Sequence, residues 1–356
     1  MQRFHLEVGS ATDVGKQRQR NEDSYAVFTP TEADRASHLD GLLLVADGMG
    51  GERAGDRASQ ITAARLKHWF VSGEYRAWPE FQGEAPLETA LVRAVRSVSS
   101  EIFQIGEDEQ SVRGLGSTVV LGLLAGDRMV LAHVGDSRAY LRRGDVLRQL
   151  TVDHSWVQRQ VDAGVLSAEA ARRHPQRNIL TRSLGDSLPP EVDLTSLEVR
   201  GDDVFVLCSD GMTGGIEDET ILEMARAIED PQQLAEALVE RANDVDGSDN
   251  ITVVVGRCSS LGVPATLEEA AARTDSDITQ VNYIEDDATQ VLANEDTEVD
   301  LDAPTLELRR GGRSTWRTWL AAALLALALG LLVGIAVQRL TAAAPADLDG
   351  AIAAPS

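Results

Sequence analysis

Cysteine is almost missing from this chain of 356 residues: only Cys208 and Cys258 occur, and neither has a zinc or redox spacing. That excludes a disulfide-stapled scaffold and a cysteine-built zinc site. Basic residues are short as well, 33 Lys and Arg against 57 Asp and Glu, for a net charge of −24. Nucleic-acid binding needs a basic face, so no nucleic-acid partner is expected. The opening stretch MQRFHLEVGSATDVG has no charged-then-apolar leader and reads as a strand and a turn. With so few cysteines, this predicts a folded part that works in a reducing cytosol.

What is present divides the chain into four stretches. Residues 1–258 alternate apolar strand-like runs with amphipathic helix-like runs. The strand-like runs include Leu42–Ala46, Thr118–Leu124, Met129–Val134, Ala139–Arg142, Asp203–Cys208 and Ile251–Gly256. The helix-like runs include Ala54–Phe70, Leu87–Ile105, Ser155–Ala163, Asp218–Ala227 and Pro231–Asn243. Several strands follow one another through short turns (AGDR, GDSR, RRGD), which favours antiparallel sheet over βαβ winding.

Residues 259–318 read as an acidic disordered linker with a basic end. Between Leu261 and Leu308 it holds 13 acidic residues and one Arg, a local charge of −12. Then Trp319 to Val337 gives nineteen residues without a charge. At 1.5 Å per residue they span roughly 28 Å, close to the hydrocarbon core of a bilayer. Arg309, Arg310, Arg313 and Arg317 precede the run, and only Arg339 follows closely. The expectation is a single-pass helix in the plasma (inner) membrane with the N-terminal side cytoplasmic, leaving 338–356 as an outer tail.

Aspartates recur at the edges of the apolar strands. LLLVADGMGG ends on Asp47, VFVLCSDGM on Asp210 and MVLAHVGDSR on Asp136; Asp23 and Asp249 stand just before two further strands. Each alone is an ordinary turn residue. Gathered together, the carboxylates would repel one another unless cations held them. An oxygen-only set of this kind selects Mg²⁺ or Mn²⁺. Gly48 permits close backbone approach, so its carbonyl can add a ligand while Asp47 bridges two ions. Two ions ~3.5–4 Å apart acidify a shared water and clamp a displacement at phosphorus. Arg18, five residues before Asp23, supplies a guanidinium able to take two phosphate oxygens. No Ser or Cys has the setting that covalent catalysis requires, so hydrolysis by activated water is expected. A phosphoprotein-binding scaffold without turnover and a hydrolase of small phosphoesters are the alternatives.

In order along the chain, TDVGKQRQRNEDS, LLLVADGMGG, GLGSTVVLGLL, LAHVGDSRAYLRR, HPQRNILTRSLG, VLCSDGMT and SDNITVVV resemble the metal-dependent serine/threonine protein phosphatases (the PPM, or type 2C, family). More narrowly they are similar to the bacterial, membrane-anchored branch that reverses Ser/Thr kinases. The likeness runs from about residue 4 to 257. It implies an α+β fold, a four-layer α-β-β-α sandwich of two antiparallel sheets flanked by helices, with the metals at one end. By motif match Asp47 would bridge both catalytic metals, and the Gly48 carbonyl would bind one of them. Asp210 and Asp249 would complete the first site, and Asp23 would contribute at the second. Asp136 with Asp210 corresponds to a third-metal site, and Arg18 would hold the phosphate. Residues from His154 to Asp186 fall where the family has a flap beside the active site. Met49 stands where some relatives have a histidine proposed as general acid, which leaves leaving-group protonation unassigned. His133 is read as a core histidine and His154 as a helix cap.

In the linker, DITQV (277–281) and DATQV (287–291) repeat, and EDTEV (295–299) echoes them. Thr279, Thr289 and Thr297 are therefore candidate kinase sites. Their phosphates would suit a forkhead-associated reader or self-docking into the phosphatase site.

Overall fold

The structure is a computed structural model and describes residues 4–31, 39–50, 54–78, 86–260 and 278–283. Two antiparallel sheets form the centre. One is five-stranded and orders β1 (Phe4–Asp13), β11 (Ile251–Ser260), β10 (Val204–Cys208), β7 (Arg138–Arg143) and β8 (Val146–Gln149). The other is seven-stranded and orders β12 (Ile278–Tyr283), β9 (Val192–Glu198), β6 (Arg128–Val134), β5 (Val119–Ala125), β3 (Gly41–Met49) and β2 (Asp23–Phe28), with the short β4 (Gly116–Ser117) also paired to β3.

The continuous apolar run in β3 is what a strand buried on both faces requires. Leu42, Leu44 and Ala46 face one way, into a core shared with α1 (Gly55–Ser72) and α2 (Leu87–Asp108). Leu43 and Val45 face the other way, where Leu6, Leu141, Phe205, Leu207 and Val254 of the opposite sheet meet them. A third core lies on the outer face of the five-stranded sheet. There Tyr140, Val206 and Val255 pack on α5 (Asp210–Gly215), α6 (Asp218–Ala227) and α7 (Pro231–Val245). The expected four layers are therefore present. Each fully buried leucine in them contributes about 1.5–3 kcal/mol over exposure.

Local chemistry sets the helix ends. Gly73, at φ 76°, takes the left-handed conformation that stops α1. Asp230 accepts from the Gln233 N–H ahead of Pro231 at the start of α7. The two cysteines lie on neighbouring strands but face different cores, Cys208 outward and Cys258 between the sheets. Both are buried and free.

The structure differs from the sequence expectations in three places. β3 does not stop at Ala46; it runs on through Asp47, Gly48 and Met49, because Asp23, Ser117 and Gly116 pair with those residues. β11 extends to Ser260, past the expected domain boundary at 258. The stretch expected to be disordered linker contains a strand, Ile278–Tyr283, which pairs with β9 and belongs to the compact unit that ends at Ala288. Among the described residues no helix is long and apolar enough to cross a membrane. The expected span, 319–337, lies outside the described residues, as do Thr289 and Thr297.

Candidate metal centre

Five loop and strand ends deliver carboxylates to one rim of the sandwich. The β2–β3 register sets Asp23 directly opposite Asp47. Asp136 lies in the turn between β6 and β7, Asp210 opens α5 after β10, and Asp249 lies two residues before β11 begins. Because β7, β10 and β11 are neighbours, their three carboxylates share one edge. Asp47 feels Asp23, Asp210, Asp136 and Asp249 at once, so all five predicted acidic residues come together.

Gly48 is glycine for a steric reason. A Cβ there would stand 2.0 Å from the Gly55 carbonyl oxygen, and one on Gly55 would stand 2.7 Å from the Gly48 carbonyl oxygen. The close crossing of β3 and α1 thus admits no side chain on either residue.

The electrostatics show what the cluster needs. Burial, then the charges of Asp23 and Asp210, holds the Asp47 carboxyl well above the ordinary carboxylate range. Burial also lifts Asp23, to about 7, against the hydrogen bonds that Ser209 and Thr252 give it. Burial and the neighbouring Asp249 raise Asp210 to about 6. Burial, Asp210 and Asp153 raise Asp136 well above its usual value. Asp23 Oδ1 and Asp210 Oδ1 are buried without a hydrogen-bond partner. Crowded carboxylates that resist ionisation, with orphaned oxygens turned inward, are a hard-cation donor set short of its positive charge. The residues fit divalent Mg²⁺ or Mn²⁺.

Arg18 sits at the rim, half exposed. Its Nη2 donates to Asp249 Oδ2 at 2.7 Å, and Nη1 lies 3.9 Å from Glu22 Oε2. The guanidinium therefore borders the carboxylates with part of its fork open to solvent.

Several residues that hold the ligands in place were not singled out from the sequence. Thr118 Oγ1 accepts from the Asp47 N–H at 2.9 Å and shares a 2.7 Å bond with Ser137 Oγ, beside Asp136. Thr118 N–H in turn donates to the Asp47 carbonyl at 2.8 Å. Ser209 donates to Asp23 Oδ2 at 2.7 Å. Asn250 accepts from the Glu22 N–H and donates to the carbonyls of Val14 and Arg20, fixing the loop that carries Arg18. The signal available was adjacency for Ser209 and Asn250, which flank ligands in CSDG and SDN, whereas Thr118 lies in GSTVV, which holds no ligand.

His154 is a correction. Ser155, not His154, caps α3 (Trp156–Asp162), accepting from the Gln158 N–H. His154 Nδ1 accepts from the Gly135 N–H at 3.0 Å, its own N–H donates to the Gly135 carbonyl, and Nε2 lies 3.2 Å from Asp193 Oδ2. Arg182 Nη1 also lies 3.1 Å from Nε2 and donates to Asp193 Oδ1 at 2.6 Å. Thr181 N–H donates to the His154 carbonyl. His154 thus ties the Asp136 turn to the segment expected as a flap. His133 is the buried core histidine expected, with burial and then His154 pushing it down to about 3.

The chain is similar to known proteins over most of its described length. Residues 15–248 match the family described as Protein phosphatase 2C. The serine/threonine phosphatase stp of Listeria innocua is 37% identical over 244 residues, covering 68% of this chain and 92% of that one. The serine/threonine protein phosphatase PstP of Mycobacterium tuberculosis is 39% identical over 251 residues, covering 70% of this chain and 44% of that one. The crystal structure of PstP superposes with a TM-score of 0.60, covering 71% of this chain and 99% of the crystallised one. A PstP catalytic domain solved with two manganese ions gives a TM-score of 0.59 at 36% identity, covering 72% and 99%. The chain belongs to the protein phosphatase 2C family. It is a serine/threonine protein phosphatase, and a metal-dependent one.

Proposed function

We propose that the chain is a membrane-tethered phosphatase that removes phosphate from phosphoserine and phosphothreonine in proteins by direct attack of water, without a phosphoenzyme, and so opposes bacterial Ser/Thr kinases. The convergence of Asp23, Asp47, Asp136, Asp210 and Asp249 beside Arg18 carries this reading. Asp47, Asp23, Asp210, Asp249 and the Gly48 carbonyl would hold two Mn²⁺ or Mg²⁺ ions, and Asp136 with Asp210 a third. Such ions neutralise the phosphate and acidify the water that attacks it.

The chain's own residues do the rest. Arg18 binds and orients the phosphate through the open part of its fork while Asp249 steadies it. Thr118 and Ser209 hold Asp47 and Asp23 in place, so little reorganisation accompanies the reaction. Met49 has no proton to give to the departing serine or threonine oxygen. Cys208 does not serve as a nucleophile: it is fully buried, and its thiol is pushed up to about 12.

The apolar run at 319–337 supports anchoring in the plasma membrane with the catalytic domain cytoplasmic. Thr279, Thr289 and Thr297 are read as kinase acceptors, whose phosphates, where left free, suit a forkhead-associated reader or docking into the phosphatase site. The deciding experiment titrates Mn²⁺ against hydrolysis of a phosphothreonine peptide, wild type beside Asp47→Ala. Saturable activation lost in the variant is expected, and full turnover in EDTA overturns the reading. Fractionation of cells expressing the full chain tests the anchor: recovery in the soluble fraction rejects it.

A further inference from the structure

The strand Ile278–Tyr283 places one of the repeated threonines in a defined setting. Thr279 is exposed and stands opposite Ser196 of β9, which in turn stands opposite Val130 of β6. Directly paired residues in an antiparallel sheet share a face, with Cβ atoms about 4.5–5.5 Å apart. That face is already marked: Arg128 Nη2 donates to Ser196 Oγ at 2.5 Å and to Glu88 Oε1 at 2.8 Å. The Arg128 side chain is 53% exposed, so its guanidinium remains open to a further ligand. Glu88 lies in the first turn of α2, an end that has no side-chain cap and so favours added negative charge.

We propose that Thr279 is a phosphoacceptor whose phosphate is clamped by Arg128, latching the linker strand onto the edge of the seven-stranded sheet. The inference rests on the proposed reading of the linker threonines as kinase sites. An ATP-dependent protein kinase would transfer the γ-phosphoryl group: the bond to ADP breaks, a P–Oγ1 bond to Thr279 forms, and the hydroxyl proton leaves to the kinase's base. The dianion then meets a planar guanidinium that binds two phosphate oxygens together, replacing the single contact to Glu88. Arg128 also has Ser196 as a fixed second partner, so the clamp adds to a side chain already partly ordered.

The position also protects the mark. Thr279 is level with Val130, four residues before β6 ends at Val134, or roughly 13 Å along the strand at 3.3 Å per residue, with the Asp136 turn beyond it. A phosphate on the docked strand is therefore out of reach of its own metal centre. Hydrolysis in the same molecule requires the strand to detach, so the latch and the phosphatase site compete for one segment.

The test uses the full chain as Asp47→Asn, so that its own activity does not erase the mark, expressed with and without a Ser/Thr kinase. Phosphosites are mapped by mass spectrometry, and hydrogen exchange is followed over residues 278–283 with Arg128 intact, Arg128→Ala and Arg128→Lys. Expected are phosphate on Thr279 and exchange about tenfold slower in the phosphorylated chain, the scale of one charge-assisted pair. The slowing disappears in Arg128→Ala and partly returns in Arg128→Lys, with thermal melts unchanged. Phosphate on Thr289 or Thr297 with none on Thr279 overturns the latch and leaves the kinase-site reading standing. No phosphate on any of the three overturns both. Phosphate on Thr279 with unchanged or faster exchange overturns the clamp alone.

Discussion

Asp23 and Asp47 face each other across the antiparallel pair of β2 and β3, two carboxylates where a sheet ordinarily avoids like charge. Ser209 donates to one and the Thr118 hydroxyl fixes the backbone of the other, so neither residue can turn away. The fold holds this repulsion in place, and the repulsion is what gives it affinity for divalent cations.

Asp47→Asn removes that repulsion along with a ligand. Hydrolysis of a phosphopeptide should fall by about three orders of magnitude, the scale of losing a preorganised electrostatic group. The metal-free variant should nevertheless melt about 2–4 °C above metal-free wild type for each kcal/mol of repulsion relieved. Activity assays and melts in EDTA measure both, and a variant that melts lower would show that Asp47 is held by something other than strain.

The raised carboxyl groups fix a sign for pH. Asp23 at about 7 and Asp210 at about 6 are protonated in the metal-free fold where the unfolded chain, near 3.8, has already released its protons. The folded state then binds more protons, so its stability falls as pH rises from about 4 to 7. His133, lowered to about 3, contributes oppositely below 6.5, but does so with or without metal. The gain in melting temperature on adding Mn²⁺ should therefore widen between pH 5 and pH 7.5. A constant gain across that range counts against protons and cations sharing the carboxylates.

Thr118→Val keeps the shape and removes the oxygen that accepts from Asp47 N–H and meets Ser137. Leaving those buried partners unmet costs about 1–3 kcal/mol. Weaker activation by Mn²⁺ is expected, with near-normal turnover at saturating metal. Loss of turnover with unchanged metal dependence would place Thr118 outside the support of Asp47.

Arg18→Lys keeps the charge but loses the fork. KM for a phosphothreonine peptide should rise about tenfold with a smaller change in kcat, and Arg18→Ala should behave similarly, because an ammonium is not a bidentate ligand. A lysine variant with wild-type KM would remove Arg18 from the phosphate site.

The buried strands and the acidic candidates were legible in the sequence because both depend on local pattern, while the four-layer arrangement was implied by the family resemblance. The unbroken apolar run Leu42–Ala46 fixes two buried faces wherever the strand lies, and an aspartate after a strand keeps its chemistry in any fold. Boundaries were less legible: β3 continues through Met49 only because β2 and β4 supply partners. The four-residue strand Val146–Gln149 is too short to declare a period, and Val192–Glu198, VDLTSLE, mixes polar residues into its buried face, where Thr195 is buried.

Sequence by itself determined the acidic oxygen donors, the arginine near them, the antiparallel pairing of strands joined by short turns and a glycine that permits close backbone approach after Asp47. Tertiary structure alone decided that Thr118 and Ser209 brace those donors, that His154 ties the Asp136 turn to Thr181 rather than capping a helix, and that Thr279 stands opposite Ser196, which Arg128 contacts. Side-chain type and spacing are written locally, whereas register across strands distant in the chain is settled only when the sheets pack, since a one-residue slip would turn every partner to the other face.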